Sequence, residues 1–303
     1  MNDPGDIQNG NNAYVLVTAA YNEEAYIEKT LRSVVSQTIA PTKWIIVSDG
    51  STDHTEEIVS EYAARYSQIE LVNITEPHPR NFAAQVNAIN LGVSRVRQLR
   101  YDFIGNLDAD ISIHSCEYFA TLLQKFRQDP RLGLAGGFIY ESQKGLLKSR
   151  KHNSRRSVPH AVQLFRRECF EQCGGYIPLK YGGPDWHAEV GARMNGWRVE
   201  AFPELVVVHH RPTGTAGGIL RYSFQQGRMD YSMGSHPLFE ALKITRRFSS
   251  KPYCLGALAR LGGFMWSVCQ RDQHLAAPQV VDSLRREQLI RMRSALLNPW
   301  SRN

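Results

Sequence analysis

Short apolar runs alternate with segments of helical periodicity over the first 110 residues, and this alternation limits the possible folds more than any other feature. Residues 14–18, 44–47 and 103–107 are apolar runs of strand length. Residues 27–35 carry apolar side chains at positions i, i+4, i+7 and i+8, which is typical of a helix packed on one face. Strands and helices that alternate in this way predict an α/β fold, in which helices cover both faces of a mostly parallel sheet.

The 303 residues are enough for one large domain with additional segments at its ends. We expect a flexible polar N-terminus over residues 1–12, the α/β domain over residues 13–213, and a basic, mainly helical C-terminal extension over residues 214–303. The polar stretch at residues 143–157 has no apolar periodicity, which predicts a mobile loop. Because residues 1–12 lack the basic start and apolar core of a secretory signal, we expect a cytoplasmic protein.

The composition is ordinary for a globular protein, but the charge is unevenly distributed. The longest apolar candidate, residues 255–269, is interrupted by Arg260 and is shorter than a membrane span. Residues 211–303 contain 14 Lys and Arg against 5 Asp and Glu and so carry +9, whereas residues 1–210 carry −2. A basic extension predicts contact with an anionic surface, and a solvated basic face is the alternative. Five cysteines, an odd number without a Cys-x-x-Cys pair, argue against a disulfide framework.

Two carboxylates, Asp108 and Asp110, directly follow the apolar run at residues 103–107. Carboxylates just past the end of a buried strand stand where open α/β sheets bind ligands. Hard oxygen ligands at that position suit a divalent cation bridged to phosphates, so the pair predicts a nucleotide-handling enzyme. An isolated Asp-x-Asp is more typical of a solvated loop, and the position after a buried strand is what favours a metal site.

Five short blocks, in order along the chain, resemble the family 2 glycosyltransferases, the large inverting group with the GT-A fold. They are Val-Thr-Ala-Ala-Tyr-Asn-Glu-Glu at 17–24, Ser-Asp-Gly-Ser-Thr-Asp at 48–53, Leu-Asp-Ala-Asp at 107–110, Gly-Gly-Pro-Asp-Trp at 182–186 and His-His-Arg at 209–211. The resemblance covers the whole expected α/β domain. It implies a GT-A (Rossmann-like) sheet with helices on both faces, followed by the helical C-terminal extension.

The same resemblance implies a metal-dependent inverting glycosyltransferase that uses Mn²⁺ or Mg²⁺. Its donor would be a nucleotide sugar, with a UDP-sugar as the first expectation. Its acceptor would be a saccharide or a lipid-linked molecule, and cell-surface polysaccharide synthesis the process it serves. The chemical reason for a cation is that the departing diphosphate carries negative charge, which a metal ion held by carboxylates stabilises.

The resemblance assigns Asp110 to the metal and Asp108 to the nucleotide or the metal. His209 and His210 end the last predicted strand, where an imidazole could complete the coordination. Successive strand residues point to opposite faces, so we expect at most one of the two to face the metal. The spacing does not say which, and a structural histidine at a sheet edge is the alternative for each.

Asp185 is the expected general base, because inverting transfer needs a carboxylate that removes the proton of the attacking hydroxyl. Trp186 beside it could form a platform for the acceptor, and helix capping is the alternative role of Asp185. Many relatives have Glu-Asp where this chain has Pro184 and Asp185, so the first carboxylate of that motif is missing. Glu189, one turn later on the same helical face, is the second candidate for the base.

Five further residues are expected to bind the nucleotide: Tyr21, Glu23, Asp49, Arg80 and Asn81. The resemblance places Asp49 on the nucleobase, although relatives commonly have two Asp where this chain has Ser48 and Asp49. Tyr21 and Glu23 follow the first strand and could pack on and bind the nucleobase and ribose. For Tyr21, Glu23 and Asp49 the alternative is an ordinary role in a turn or at a helix start.

The extension and the departures from the family pattern leave two questions open. Residues 246–248 and 260–266 mix basic and apolar side chains, which suits the interface of an anionic membrane and recruitment of a lipid-linked acceptor. A helical cap on the catalytic domain or on a second subunit is the alternative.

For the whole protein, the alternative is a catalytically inactive nucleotide- or glycan-binding protein. A dehydrogenase is excluded because no Gly-x-Gly-x-x-Gly follows the first strand, and no recognised motif supports nucleic-acid binding.

Overall fold

The computed structural model describes residues 12–75, 82–143, 146–150, 153–211, 218–248 and 253–297. The strands are β1 Tyr14–Ala20, β2 Lys43–Ser48, β3 Ile69–Asn73, β4 Phe103–Leu107, β5 Ile111–Ile113, β6 Leu132–Gln143, β7 Leu146–Ser149, β8 Val162–Arg166 and β9 Arg198–His209. The helices are α1 Ile27–Val35, α2 Thr55–Arg65, α3 Phe82–Val96, α4 Tyr118–Gln128, α5 Arg167–Gln172, α6 Pro184–Met194, α7 Ile219–Ser232, α8 Pro237–Arg247, α9 Leu255–Cys269 and α10 Pro278–Leu297.

Within the described residues the strands form one sheet in the order β3-β2-β1-β4-β8-β6-β9-β5, with β7 paired to β6. The pairs β3-β2, β2-β1, β1-β4 and β6-β9 are parallel. Strand β8 is antiparallel to both of its neighbours, and β5 is antiparallel to β9. The expected α/β fold is therefore confirmed, with a parallel first half and a mixed second half.

Helices cover both faces of the sheet, as the sequence predicts. In β1 the side chains of Tyr14 and Leu16 enter one core, and those of Val15 and Val17 enter the other, because successive strand residues face opposite ways. Helices α1 and α4 pack on the first face and α3, α5 and α6 on the second. A strand buried on both sides reads as a continuous apolar run, which is why these strands are visible in the sequence.

The stretch at residues 143–157 was expected to be a loop, and the structure corrects this in part. Strand β7 lies within it and pairs with β6 in a hairpin, from Tyr140 opposite Ser149 to Gln143 opposite Leu146. The four side chains of β7 are exposed. An exposed strand buries no apolar face, so the sequence carries no periodicity that would predict it.

The C-terminal helices pack on the α/β domain. A separate apolar cluster joins Leu179 and Val190, before and within α6, to Met233, Val281 and Leu284 of the extension. The structure describes all five cysteines, and each is a free thiol. Among the described residues there is no helix that combines the length and the apolar character needed to cross a membrane.

Candidate active site

The carboxyl ends of β1, β2 and β4 open into a cavity of about 300 Å³. Open α/β sheets bind ligands at this edge. The lining includes five of the residues predicted from the sequence, namely Tyr21, Glu23, Asp49, Asp108 and Asp110. Four alanines, together with Gln85 and Arg211, complete the lining. Small side chains and charged side chains therefore surround the same cavity.

Asp108, Asp110 and His209 form a cluster in which one ligand atom of each lies within 4.8 Å of the other two. The first carboxylate follows β4, the second precedes β5, and the histidine ends β9. Pairing of β5 with β9 sets Ile111 opposite His209 and so brings the histidine to the carboxylates. Two carboxylates and one imidazole are a donor set that divalent cations accept, so the residues fit a metal ion.

Charge is concentrated in this cluster. Burial and the nearby charge of Asp108 raise the pKa of Asp110 above its usual range. Burial opposes ionisation of Asp108 as well, but a hydrogen bond and positive charge from His160, with the charge of His209, hold the pKa of Asp108 below its usual range. The two carboxylates repel each other, and a cation placed between them would relieve that repulsion.

The two adjacent histidines are placed differently. His209 Nε2 lies 3.5 Å from Asp110 Oδ1. His210 turns away, with Nε2 2.9 Å from Ser112 Oγ and its ring stacked against Tyr26 at a centroid distance of 6.1 Å. Only His209 belongs to the cluster, in keeping with the expectation that successive strand residues face opposite sides.

Arg211 lies across the rim of the cavity and was not among the predicted site residues. Its Nη2 donates to Glu23 Oε2 at 2.5 Å, its Nε lies 3.8 Å from Asp110 Oδ2, and its guanidinium sits 5.5 Å from the ring of Tyr26. Burial, then the charge of Asp110, raises the pKa of Glu23 to about 7, although Arg211 lowers it. The His-His-Arg block of the sequence includes Arg211, but its role depends on contacts with Glu23 and Asp110, which are distant from it in the chain.

His160 is a second residue that the sequence did not reveal. Its Nδ1 lies 3.4 Å from Asp108 Oδ1, and its backbone carbonyl accepts a hydrogen bond of 2.7 Å from Asn106 Nδ2. The ring packs against Tyr176 at 5.3 Å. A single histidine in a loop before β8 matches no motif, so only the tertiary structure associates it with Asp108.

The charge of Asp185 acts on His160, the histidine whose Nδ1 lies beside Asp108. Asp185 occupies the first turn of α6, which follows Gly183 with a left-handed φ of 87°. The negative charges of Asp108 and Asp185 both raise the pKa of His160, against the effect of burial. Both carboxylates therefore act on one imidazole.

Glu189 supports the loop that carries His160. Its Oε1 accepts hydrogen bonds from Ser157 Oγ at 2.9 Å and from the backbone nitrogen of Val158 at 2.7 Å. The side chain is buried, and burial raises its pKa to about 7, while the charge of Arg193 lowers it. Its Oε2 lies 3.4 Å from Arg193 Nη1, so both carboxylate oxygens are engaged with the chain itself.

The remaining predicted residues are placed as follows. Trp186 is half-buried and packs against the apolar cluster of the extension, with Lys243 Nζ 5.6 Å from its ring centroid. Asp49 is buried at the end of β2, where its backbone nitrogen donates to the carbonyl of Ala20. Arg80 and Asn81 lie outside the described residues.

The parallel-sheet edge, the charged cavity and the Asp-x-Asp segment together define a glycosyltransferase of the GT-A type. The chain belongs to glycosyl transferase family 2, whose family model matches residues 15–181.

Sequence relatives come from polysaccharide synthesis. The chain is 31% identical over 119 residues to a poly-beta-1,6-N-acetyl-D-glucosamine synthase of Staphylococcus epidermidis, and 32% identical over 120 residues to that of Staphylococcus aureus strain COL. Each match covers 39% of this chain and 26% of the relative, so it spans about a quarter of those proteins.

Solved structures share the fold over nearly the whole chain. The mannosyltransferase PcManGT from Pyrobaculum calidifontis, in complex with GDP-Man and Mn²⁺, has a TM-score of 0.56 at 18% identity and covers 97% of this chain and 88% of its own. S. aureus TarS 1-349, in complex with UDP-GlcNAc, has a TM-score of 0.57 at 14% identity and covers 93% and 92%.

Proposed function

We propose that this chain is a metal-dependent inverting glycosyltransferase that moves a sugar from a UDP-sugar to a saccharide or lipid-linked acceptor in cell-surface polysaccharide synthesis. The observation that carries the proposal is the cluster of Asp108, Asp110 and His209 beside a cavity at the carboxyl edge of parallel strands. UDP is favoured because the sequence relatives are named for N-acetylglucosamine polymers and TarS was solved with UDP-GlcNAc.

The cavity would hold the nucleoside diphosphate. Tyr21 is partly exposed at its rim and can pack on the base, Asp49 can accept a hydrogen bond from the base, and Glu23 can bind the ribose. Asp108, Asp110 and His209 would hold Mn²⁺ or Mg²⁺. Such a cation supplies Lewis-acid stabilisation of the charge that develops on the departing diphosphate.

Asp185 is the proposed general base. It would take the proton of the acceptor hydroxyl while that oxygen attacks the anomeric carbon, a contribution of about 10² to 10⁴ in rate. Glu189, whose Oε1 is bound to Ser157 and Val158, is the second candidate and in this assignment holds the loop instead. The part of the Trp186 ring that the extension leaves uncovered would contact the acceptor.

The first experiment measures nucleotide release by the purified full chain with UDP-GlcNAc, UDP-glucose and GDP-mannose, each with Mn²⁺, Mg²⁺ or EDTA. We expect metal-dependent turnover with at least one UDP-sugar, and a product whose anomeric configuration, read by NMR, is inverted. Turnover that EDTA leaves unchanged would contradict the metal assignment. Retention of configuration would contradict the single displacement.

The second experiment separates an enzyme from an inactive binding protein. Asp185→Asn should lower kcat by about 10² or more and leave the donor Kd within about twofold, because the carboxylate acts on the acceptor. The matched variant Asp110→Asn should instead weaken binding of both metal and donor. A wild-type chain that binds donor but shows no turnover with any acceptor would support the binding protein.

A further inference from the structure

Helix α9 exposes most of its large apolar side chains, although Ala257 and Phe264 are buried, and it buries its single charged residue, Arg260. The structure describes every residue of α9, and those exposed to solvent carry no charge: Leu255, Leu258, Leu261, Met265, Trp266, Val268 and Cys269. The exposed fraction is 51% for Leu258 and 52% for Trp266. A surface helix of a globular protein normally has the opposite arrangement, with its apolar stripe facing the core.

The orientation of α9 is fixed by contacts on its inner face. Arg260 is buried and its Nη2 lies 2.5 Å from Oδ2 of Asp230, which is fully buried in α7. Gly263 approaches α7 so closely that an added methyl group would overlap the carbonyl oxygen of Phe224, and Gly227 meets α9 in the same way. Rotating α9 to bury its apolar face would break a buried ion pair and separate two closely packed backbones.

An apolar face of this kind marks an interaction surface. The helix has 15 residues and is about 22 Å long, which suits a helix lying along a membrane surface. Trp266 and the neighbouring Tyr253, also exposed, have the ring types that concentrate at the boundary between lipid and water.

Basic residues at both ends of α9 decide between a membrane and a second copy of the chain. Arg246 is exposed. It lies near the start of α9, because the carbonyl of Phe248, two residues further on, accepts a hydrogen bond from the backbone nitrogen of Cys254, the residue before the helix. Arg271 is exposed just after its end. Residues 211–303 carry +9 in total. Two copies joined through α9 would bring like charges together, whereas an anionic bilayer attracts them.

We propose that the outer face of α9 inserts into the interface of an anionic lipid bilayer, with basic side chains contacting lipid headgroups. Helix α7, on which α9 packs, also contacts the start of α6, since Met229 of α7 lies against Gly183, the residue before α6. This proposal concerns membrane binding alone and does not depend on the proposed glycosyl transfer. If both hold, the active site is kept near acceptors carried in the same bilayer.

The test is co-sedimentation of the full chain with phosphatidylcholine vesicles, with and without phosphatidylglycerol. We compare Leu258→Glu/Met265→Glu on α9 with the matched variant Leu289→Glu/Ile290→Glu on α10, which replaces two other exposed apolar residues with the same charges. We expect binding to anionic vesicles that added salt weakens, a loss of about tenfold or more in the α9 variant, and a loss under about twofold in the α10 variant.

A second measurement does not depend on charge substitutions. Anionic vesicles should shift the tryptophan emission of the wild type to shorter wavelength, and Trp266→Phe should remove most of that shift. Three results would overturn the proposal: no preference for anionic vesicles, equal losses in the two double variants, or an unchanged emission spectrum. A dimer in sedimentation velocity that the α9 variant alone abolishes, without vesicle binding by the wild type, would assign the face to a second copy.

Discussion

At the scale of single residues, the two adjacent histidines at the end of β9 have different partners. His209 Nε2 lies near Asp110, whereas His210 Nε2 lies near Ser112. We expect His209→Ala to weaken Mn²⁺ binding at least about tenfold, because it removes a ligand, and His210→Ala to change it by less than about twofold. Calorimetric titration of the two variants with Mn²⁺ checks this. Equal losses in both would show that the cluster is not the metal site.

Glu189 should make the stability of the protein depend on pH. Its pKa is about 7 in the folded protein, above the 4.5 of an ordinary Glu, so the folded state holds the proton more tightly than the unfolded state. The group therefore stabilises the fold most at low pH, and this stability is lost as the pH rises from about 4.5 to about 7. Above that range the contribution no longer changes.

Glu189→Gln tests this at one position. An amide oxygen can still accept from Ser157 and Val158, but the side chain no longer ionises; its contact with Arg193 Nη1, 3.4 Å away, loses its charge. Relative to wild type, the free energy of unfolding of the variant should rise by up to about 3 kcal/mol between pH 5 and pH 8. Urea unfolding at both pH values measures it, and a difference that does not change with pH would contradict the assignment.

At the scale of elements, the contact between α7 and α9 depends on glycine at particular positions. A methyl group at Gly263 would overlap the carbonyl of Phe224, while one at Gly262 would lie 3.9 Å from the ring of Phe224, an ordinary contact distance. Gly263→Ala should therefore lower the free energy of unfolding by about 2 kcal/mol or more. Gly262→Ala should leave it unchanged or raise it by up to about 1 kcal/mol through helix propensity.

Chemical unfolding measures the free energy of unfolding of both variants. They carry the same substitution at neighbouring positions of one helix, so a difference between them reports on the packing at Gly263. Similar stabilities would mean that α7 and α9 are not packed backbone to backbone. The result also bears on the orientation of the apolar face, because the contact at Gly263 holds that face outward.

The elements that could be predicted from the sequence are those whose burial leaves a recognisable apolar pattern. Strands β1, β2 and β4 are continuous apolar runs because both of their faces are buried, and helix α1 repeats its apolar residues with the helical period. The sequence predicts neither β5 nor β8, and it predicts a loop where β7 lies. β5 spans three residues, Ile111–Ile113, and β7 is exposed, so neither presents a pattern long enough to recognise.

At the scale of the whole molecule, the extension and the α/β domain share an apolar cluster through α6 and α10. We expect them to unfold in one cooperative transition for that reason. Leu284→Ala, at a buried position of α10, should lower the free energy of unfolding by about 2–5 kcal/mol, and Leu289→Ala, at an exposed position, by less than about 0.5 kcal/mol.

Circular dichroism and tryptophan fluorescence during thermal unfolding check this prediction together. Both signals should shift to the same lower midpoint in Leu284→Ala. An early partial transition, followed by a main transition at the wild-type midpoint, would mean that the division at residues 213 and 214 separates two independently folding parts.

The sequence by itself determined the alternation of strands and helices, the family, and the carboxylates expected at the sheet edge. These depend on burial period and on short local motifs, which single segments carry. Only the tertiary structure decided which histidine joins Asp110, that His160 and Arg211 border the cluster, and that α9 turns its apolar face outward. Those features depend on side-chain direction and on contacts between residues far apart in the chain, which no single segment encodes.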